Sequence, residues 1–237
     1  MMRVLNVNSA LGLKAGGGAA ERTFQMSRFL ASQGIQCTVL TLDIELDEQR
    51  VVSLKPASVV AQSCFWKRYY LPWIEWKNIR QLVEEVDVIH IMGHWSILNA
   101  LVYFAARIAK KPYVVCPAGA LPLFGRSRYL KYIYNFIIGR KIIENASAWI
   151  AVSSAEFPQY ESYGIPASQV TVIPNGISEG DFPQVDVELY KCDKGLADKP
   201  VILFMGRLNP IKGPDLLLQA FALVHKQIPE FHLVSQD

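Results

Sequence analysis

The sequence has no long uncharged apolar run. A membrane-spanning helix needs about 20 such residues, and no stretch of that kind occurs among the 237. Cysteine is sparse and scattered: Cys37, Cys64, Cys116 and Cys192 show no C-x-x-C spacing. That pattern argues against a zinc site or a disulfide framework, and reduced, mostly buried thiols are expected. Excess charge is also small. The 24 Lys and Arg against 21 Asp and Glu leave +3, too little to argue for nucleic acid. No internal repeat or low-complexity segment occurs. The opening residues Met-Met-Arg-Val-Leu-Asn-Val-Asn show no secretory apolar region, so a cytoplasmic setting is expected.

What is present is the composition of a globular protein, 51% apolar and 19% charged, with enough length for one large or two small domains. The chain opens as strand, helix, strand. Val4–Val7 suits a buried parallel strand, Ala19–Ser32 has helical periodicity through Phe24, Met26, Phe29 and Leu30, and Cys37–Leu42 is the next strand. A right-handed βαβ unit and a parallel sheet follow from that order. Between the first strand and its helix, Asn8–Gly18 reads as a loop ending in Gly16, Gly17 and Gly18. Consecutive glycines at a helix start allow a phosphate to approach the backbone; a mobile surface loop explains them equally well. Gly16 and Gly18, with Asp43 at the end of the second strand, also leave open a dinucleotide-dependent oxidoreductase. Glu21 stands where the third glycine of that fingerprint belongs.

Residues 43–63 read as irregular, with one short strand near Val51–Leu54. Phe65-Trp66-Lys67-Arg68-Tyr69-Tyr70 and Trp73 to Trp76 interleave aromatics with cations. Such a stretch binds sugars, membranes or single-stranded nucleic acid, or packs its rings on the domain edge, and the packing role is favoured. Val86–Ile91 is a buried strand, and Gly93-His94-Trp95-Ser96 ends it before a helix over Ile97–Lys110. Ligands of open α/β sheets sit beyond the carboxyl ends of strands, which makes His94 a candidate active-site residue as well as an ordinary hydrogen-bonded one. His90 and His94 straddle a strand end, so no metal site is expected there.

Tyr113–Cys116 is another strand. From Arg107 to Lys141 every charged residue is basic, and Tyr129–Glu144 alternates apolar residues with cations. Segment 126–141 is either a core-facing helix with solvated cations or an amphipathic helix lying on an anionic membrane. Ala148–Val152 is a strand, Ser153-Ser154-Ala155-Glu156 reads as a helix cap, and Val170–Ile173 is a strand ending in the Pro174-Asn175-Gly176 turn. Asp181–Pro200 has linker composition. Val201–Met205 then leads into Gly206-Arg207-Leu208-Asn209-Pro210-Ile211-Lys212-Gly213, and Pro214 opens an apolar-periodic helix. Two cations near a helix start make an anion site that suits a diphosphate.

This last segment resembles the donor-phosphate loop of the family 4 retaining glycosyltransferases. The resemblance extends over the glycine-rich first loop, the strand-end histidine, and Val-Ile-Pro-Asn-Gly before Phe182. It implies the α/β GT-B fold: a Rossmann-like parallel-sheet acceptor domain at 1–180, a linker at 181–200, and the incomplete start of a second Rossmann-like donor domain at 201–237. The implied reaction transfers a sugar from a nucleotide-sugar to a glycan or lipid-linked acceptor with retention of configuration, in cell-surface polysaccharide or glycolipid synthesis. No metal and no cofactor is expected, the nucleotide-sugar being a co-substrate. Arg207 and Lys212 are the implied catalytic cations, and His94 is one candidate for a further catalytic residue. Gly16, Gly17 and Gly18 are expected to face the donor phosphates and acceptor, and Asn175 and Gly176 to form the interdomain turn. Where many members carry a catalytic histidine this chain has Ala118, which can neither donate nor accept a proton. The resemblance also leads one to expect a longer donor domain, and Ser235-Gln236-Asp237 departs from the family pattern as if foreign to it. An inactive remnant that binds an acceptor or a partner is the alternative.

Overall fold

The structure is a computed structural model that describes residues 1–123, 127–182, 184–197, 199–206 and 208–236. The chain divides into two compact units, Met1–Ser178 and Glu179–Asp237.

In the first unit, β1 (Arg3–Val7), α1 (Leu13–Ser32) and β2 (Gln36–Leu42) form the expected βαβ opening. The rest of the sheet is β3 (Ser58–Gln62), β6 (Val88–Met92), β7 (Tyr113–Cys116), β8 (Ala148–Ala151) and β9 (Val170–Val172), while β4 (Cys64–Trp66) and β5 (Leu71–Pro72) make a separate antiparallel hairpin. The seven sheet strands run parallel in the order β3-β2-β1-β6-β7-β8-β9. Chain progression therefore reverses between β1 and β6, and the crevice beyond their carboxyl ends is where open α/β sheets bind ligands.

The two faces of the sheet are held differently. Leu5, Val7, Leu40, Leu42, Ile89 and Ile91 pack into the larger apolar core with α3 (Trp76–Glu85) and α4 (Ile97–Ala109). Each such side chain contributes about 1.5–3 kcal/mol on burial. The opposite face, under α1, combines a small apolar cluster around Leu11, Phe24 and Val39 with a polar layer. Asn6 donates to Ser27 Oγ at 2.8 Å, and Asn8 donates to Thr23 Oγ1 at 2.8 Å and to the Ala19 carbonyl at 3.0 Å. Directed bonds fix the rotation of α1, which apolar contact alone leaves looser.

Several expectations are corrected. Residues 51–54 belong not to a strand but to α2 (Glu48–Ser53) and its end, because Asp47 Oδ1 caps the Gln49 N–H at 2.9 Å. The aromatic segment is a hairpin in which Tyr70, together with Trp76 just beyond it, packs against the larger core as expected, whereas Phe65, Trp66 and Trp73 stay exposed. Segment 128–144 is one helical path in three parts, α5 (Arg128–Tyr134), a π-helical turn (Asn135–Gly139) and α6 (Arg140–Glu144). Ser153 makes no side-chain cap; a short 3₁₀ turn at Ser154–Glu156 precedes α7 (Phe157–Glu161).

In the second unit, α8 (Val187–Asp193) forms within the segment read as linker, capped by Asp186. Strand β10 (Val201–Met205), α9 (Pro214–Gln227) and β11 (His232–Gln236) make a parallel βαβ element. Among the residues of this unit whose side chains are described, none is buried.

Candidate functional site

Ser9, just past β1, and Ser96, just past β6, face each other across the switch point. Their hydroxyls hydrogen-bond at 2.6 Å. Ser96 also caps α4 by accepting the Asn99 N–H. Ser96 is buried and Ser9 partly exposed, so a sugar hydroxyl in the crevice could reach the pair through Ser9.

The glycines are not a loop. Residues 13–18 belong to α1, which begins six residues before Ala19 and is kinked at Gly17 (φ 53°, ψ −140°). A Cβ on Gly16 would clash with the Ala20 methyl and sit 2.6 Å from the Ala10 carbonyl, whereas one on Gly18 would meet nothing within 4 Å. Gly16 is thus needed for close packing and Gly17 for its backbone angles, while Gly18 leaves open space beside the helix start. Asp43 is committed elsewhere: its Oδ1 accepts the Cys64 N–H at 2.9 Å, fixing the base of the hairpin.

His94 lies at the strand end as expected, but it is only 3% exposed. Its ring is enclosed by Trp95, Tyr134 and Tyr163. Its Nε2–H donates to Asn135 Oδ1 at 3.3 Å, and that oxygen also accepts the Tyr163 hydroxyl at 3.0 Å. Asn135 opens the π-helical turn, a feature that re-aims side chains. Burial pulls the His94 pKa down to about 4, against the opposing pull of Asn135. His90, on β6 beside Asn6, falls to about 4 through burial and the nearby Arg22 charge. Both rings are neutral near pH 7.

Sequence reasoning missed a buried polar cluster behind the crevice. Arg22, 4% exposed, donates through Nη1 to Asn175 Oδ1 at 2.9 Å. Glu156 is buried near it. Burial raises its pKa, opposed by hydrogen bonds from the Gly119 and Val152 backbone and by the Arg22 charge. One side chain therefore holds the turn after β9, and the other holds the turn after β7. That second turn places Ala118 in the left-handed region (φ 51°) beside Gly119 (φ 77°), a conformation that disfavours a side chain by about 1–2 kcal/mol. The one available signal for Arg22 was its helical spacing from Met26 and Phe29. Pro174, Gly176 and Ile177 join Arg22 and Phe29 around an open cleft of about 480 Å³.

In the second unit, Lys212 is exposed at the end of the 3₁₀ turn Pro210–Lys212, directly before α9. Gly213 (φ 67°) caps the helix and Pro214 begins it. Arg207 lies outside the described residues. Among the described residues no group of three or more His, Cys, Asp or Glu could hold a metal ion, and no helix is long and apolar enough to cross a membrane.

Comparison with known proteins gives the setting. The D-inositol 3-phosphate glycosyltransferase of Geodermatophilus obscurus is 24% identical over 87% of this chain and 50% of its own length. The enzyme of the same name from a Nocardioides species is 36% identical over 40% of this chain and 21% of its own. Anabaena Alr3699/HepE, solved with UDP-glucose, superposes with a TM-score of 0.70 at 19% identity, over 99% of this chain and 60% of that one. The chain spans about half the length of the first of these curated relatives. The likeness in structure establishes the α/β, Rossmann-like architecture of the GT-B type. Residues 188–235 match Glycosyl transferases group 1. Residues 16–180 match Glycosyltransferase Family 4, and the chain belongs to that family.

Proposed function

We propose that the whole protein transfers a sugar from a nucleotide-sugar to a hydroxyl of a glycan or lipid-linked acceptor, with retention of configuration. The observation that carries this reading is the order of the two family matches, residues 16–180 and then 188–235, on a sheet whose switch-point crevice carries the Ser9–Ser96 hydroxyl pair. Lys212 and Arg207 have the role of neutralising charge that grows on the leaving diphosphate, which is work done in the transition state. The acceptor hydroxyl binds near Ser9, Ser96 and the open side of Gly18.

Among the described residues, neither Ala118 nor His94 is a good base. Ala118 has no titratable group, and His94 is neutral, enclosed and weakly basic. This supports transfer on the face of the departing phosphate, with a phosphate oxygen taking the acceptor proton. His94 then serves as a positioning residue that holds Asn135 and Tyr163 under the crevice. The Arg22–Asn175 bond holds the turn before the second unit. The protein works at a cytoplasmic membrane face, a location supported by the exposed aromatic and basic surface of α5 and its π-helical turn.

The test is binding and transfer with UDP-glucose as probe, comparing wild type with Lys212→Ala. A loss of about 100-fold in transfer, roughly 3 kcal/mol of transition-state stabilisation, is expected with an unchanged melting temperature. Equal transfer by both proteins overturns the phosphate role. A wild type that binds no UDP-, GDP- or ADP-sugar favours the acceptor-binding remnant.

A further inference from the structure

We propose that the β4–β5 hairpin is a binding platform for the acceptor, and that the acceptor is an acidic oligosaccharide several sugars long. The inference rests on the glycosyltransferase reading and adds the class of acceptor and the place where its remote units bind.

The hairpin is built for display. Phe65, Trp66 and Trp73 are all at least half exposed, Trp73 at 62%, and Tyr69 is partly so. A folding core gains nothing from rings left in water, and exposed aromatic clusters of this kind mark binding surfaces. The rings are ordered against one another. Phe65 and Trp73 pair across the hairpin with centroids 5.3 Å apart, while Trp66 and Tyr69 meet edge to face at 5.0 Å. The hairpin therefore carries two aromatic pairs, Phe65 with Trp73 and Trp66 with Tyr69, at the point where its register shifts between Cys64 and Trp66.

The hairpin is also fixed to the crevice. Its base is held by the Cys64 N–H on Asp43, at the end of β2, and by the Trp73 N–H on the Ser63 carbonyl at 2.8 Å. Its far arm is tied to the start of α1 by Tyr70, whose hydroxyl donates to the Ala15 carbonyl at 3.1 Å. Ala15 adjoins the three glycines. A chain whose end unit occupies the crevice therefore passes the hairpin with its next units.

Sugar chemistry fits these groups. One face of a pyranose carries polarised C–H bonds that rest on the negative face of an aromatic ring, and a pre-ordered ring pair loses little freedom on binding. Charge selects the sign of the sugar. Lys67 and Arg68 lie at the turn of the hairpin, away from the carboxylates of Asp43 and Glu75 at its base, and Arg68 lies 5.6 Å from the Tyr69 ring. Carboxylated or phosphorylated sugar units complement them.

The experiment is calorimetric titration with penta-galacturonate, its monomer and neutral maltopentaose. Binding of the acidic pentamer at least tenfold tighter than its monomer is expected. Trp73→Ala should weaken pentamer binding at least tenfold, and Trp73→Phe should restore most of it. The double change Lys67→Ala/Arg68→Ala should weaken the acidic pentamer and not maltopentaose. UDP-glucose binding stays the same in every variant, so loss of UDP-glucose binding by wild type counts against the enzyme reading and not against the platform. The platform is overturned if wild type binds neither pentamer, or if Trp73→Ala binds both normally. It is also overturned if Trp73→Ala loses binding only to vesicles of phosphatidylglycerol, which would make the hairpin a membrane anchor.

Discussion

The guanidinium of Arg22 and the side-chain amide of Asn175, 153 residues apart in sequence, meet through an N–H···O bond of 2.9 Å. The bond joins α1 to the turn that closes the first compact unit at Ser178. Arg22 is buried and Asn175 is exposed, so water can replace the amide but nothing can replace the cation. Asn175→Ala is therefore expected to cost about 1.5 kcal/mol, the low end for a bond to a charged group. Arg22→Met should cost more, because it also strips Glu156 of its counter-charge. All five tryptophans precede Ser178, so urea unfolding followed by tryptophan fluorescence reports this unit. The reverse order of costs would show that the bond is incidental.

The three glycines should separate in their response to alanine. Gly16→Ala drives a Cβ into the Ala10 carbonyl and the Ala20 methyl, and backbone clashes of this kind cost about 1–3 kcal/mol. Gly17→Ala forces a side chain into φ 53°, ψ −140°, worth a similar loss. Gly18→Ala meets open space and should stabilise by about 0.5–1 kcal/mol through helix propensity. The same change narrows the crevice, so reduced transfer from a more stable protein is expected. Equal melting temperatures for all three variants would return the glycines to a flexible loop.

This contrast marks what sequence can reveal. Strands β1, β2, β6, β7 and β8 were legible because apolar runs between polar breaks suit buried parallel strands. Val51 and Val52 suggested a strand where Asp47 caps a helix instead, a case of local capping overriding β-branched propensity. The glycine run read as a loop because the reason for Gly16 lies in space, where Ala10 and Ala20 leave no room for a side chain on the helix. At the site, His94 was placed correctly at a strand end. Its enclosure was invisible, because Tyr134 and Tyr163 come from elements far along the chain. Arg22 and Glu156 were missed for the same reason: nothing in a periodic pattern tells a buried charge from a solvated one.

Acid should weaken the first unit through its buried histidines. His90 and His94 fall from 6.5 to about 4 in the fold. The unfolded chain then binds more protons than the folded one between those values, so stability is complete above about pH 6.5 and falls as pH drops toward 4. Each ring accounts for roughly 3 kcal/mol by the lower limit. Glu156 acts in the opposite sense. Its carboxyl is raised by burial, so protonating it relieves a cost and makes the acid decline shallower. Urea midpoints from pH 7.5 to 4.5 should show the decline, and His94→Gln should remove about half of it. A flat profile in wild type would mean that the rings take up protons without opening the fold.

The surface of α5 and its π-helical turn carries a row of exposed aromatic and apolar side chains. Tyr129 is 88% exposed and Phe136 82%, and Tyr132, Ile133 and Ile137 are also exposed. Their spacing puts them along one side of the helical path. Arg128 and Lys141 flank them at either end. A surface of this composition binds an anionic bilayer through ring insertion and about 1 kcal/mol per cation near the lipid. Vesicles containing phosphatidylglycerol should therefore sediment the protein, neutral vesicles should do so more weakly, and salt should reverse the difference. Phe136→Glu should lower vesicle binding at least tenfold. The side chain is in water already, so the melting temperature should not move. If instead Phe136→Glu sediments like wild type, the exposed rings face another protein, and the cytoplasmic membrane location loses its support.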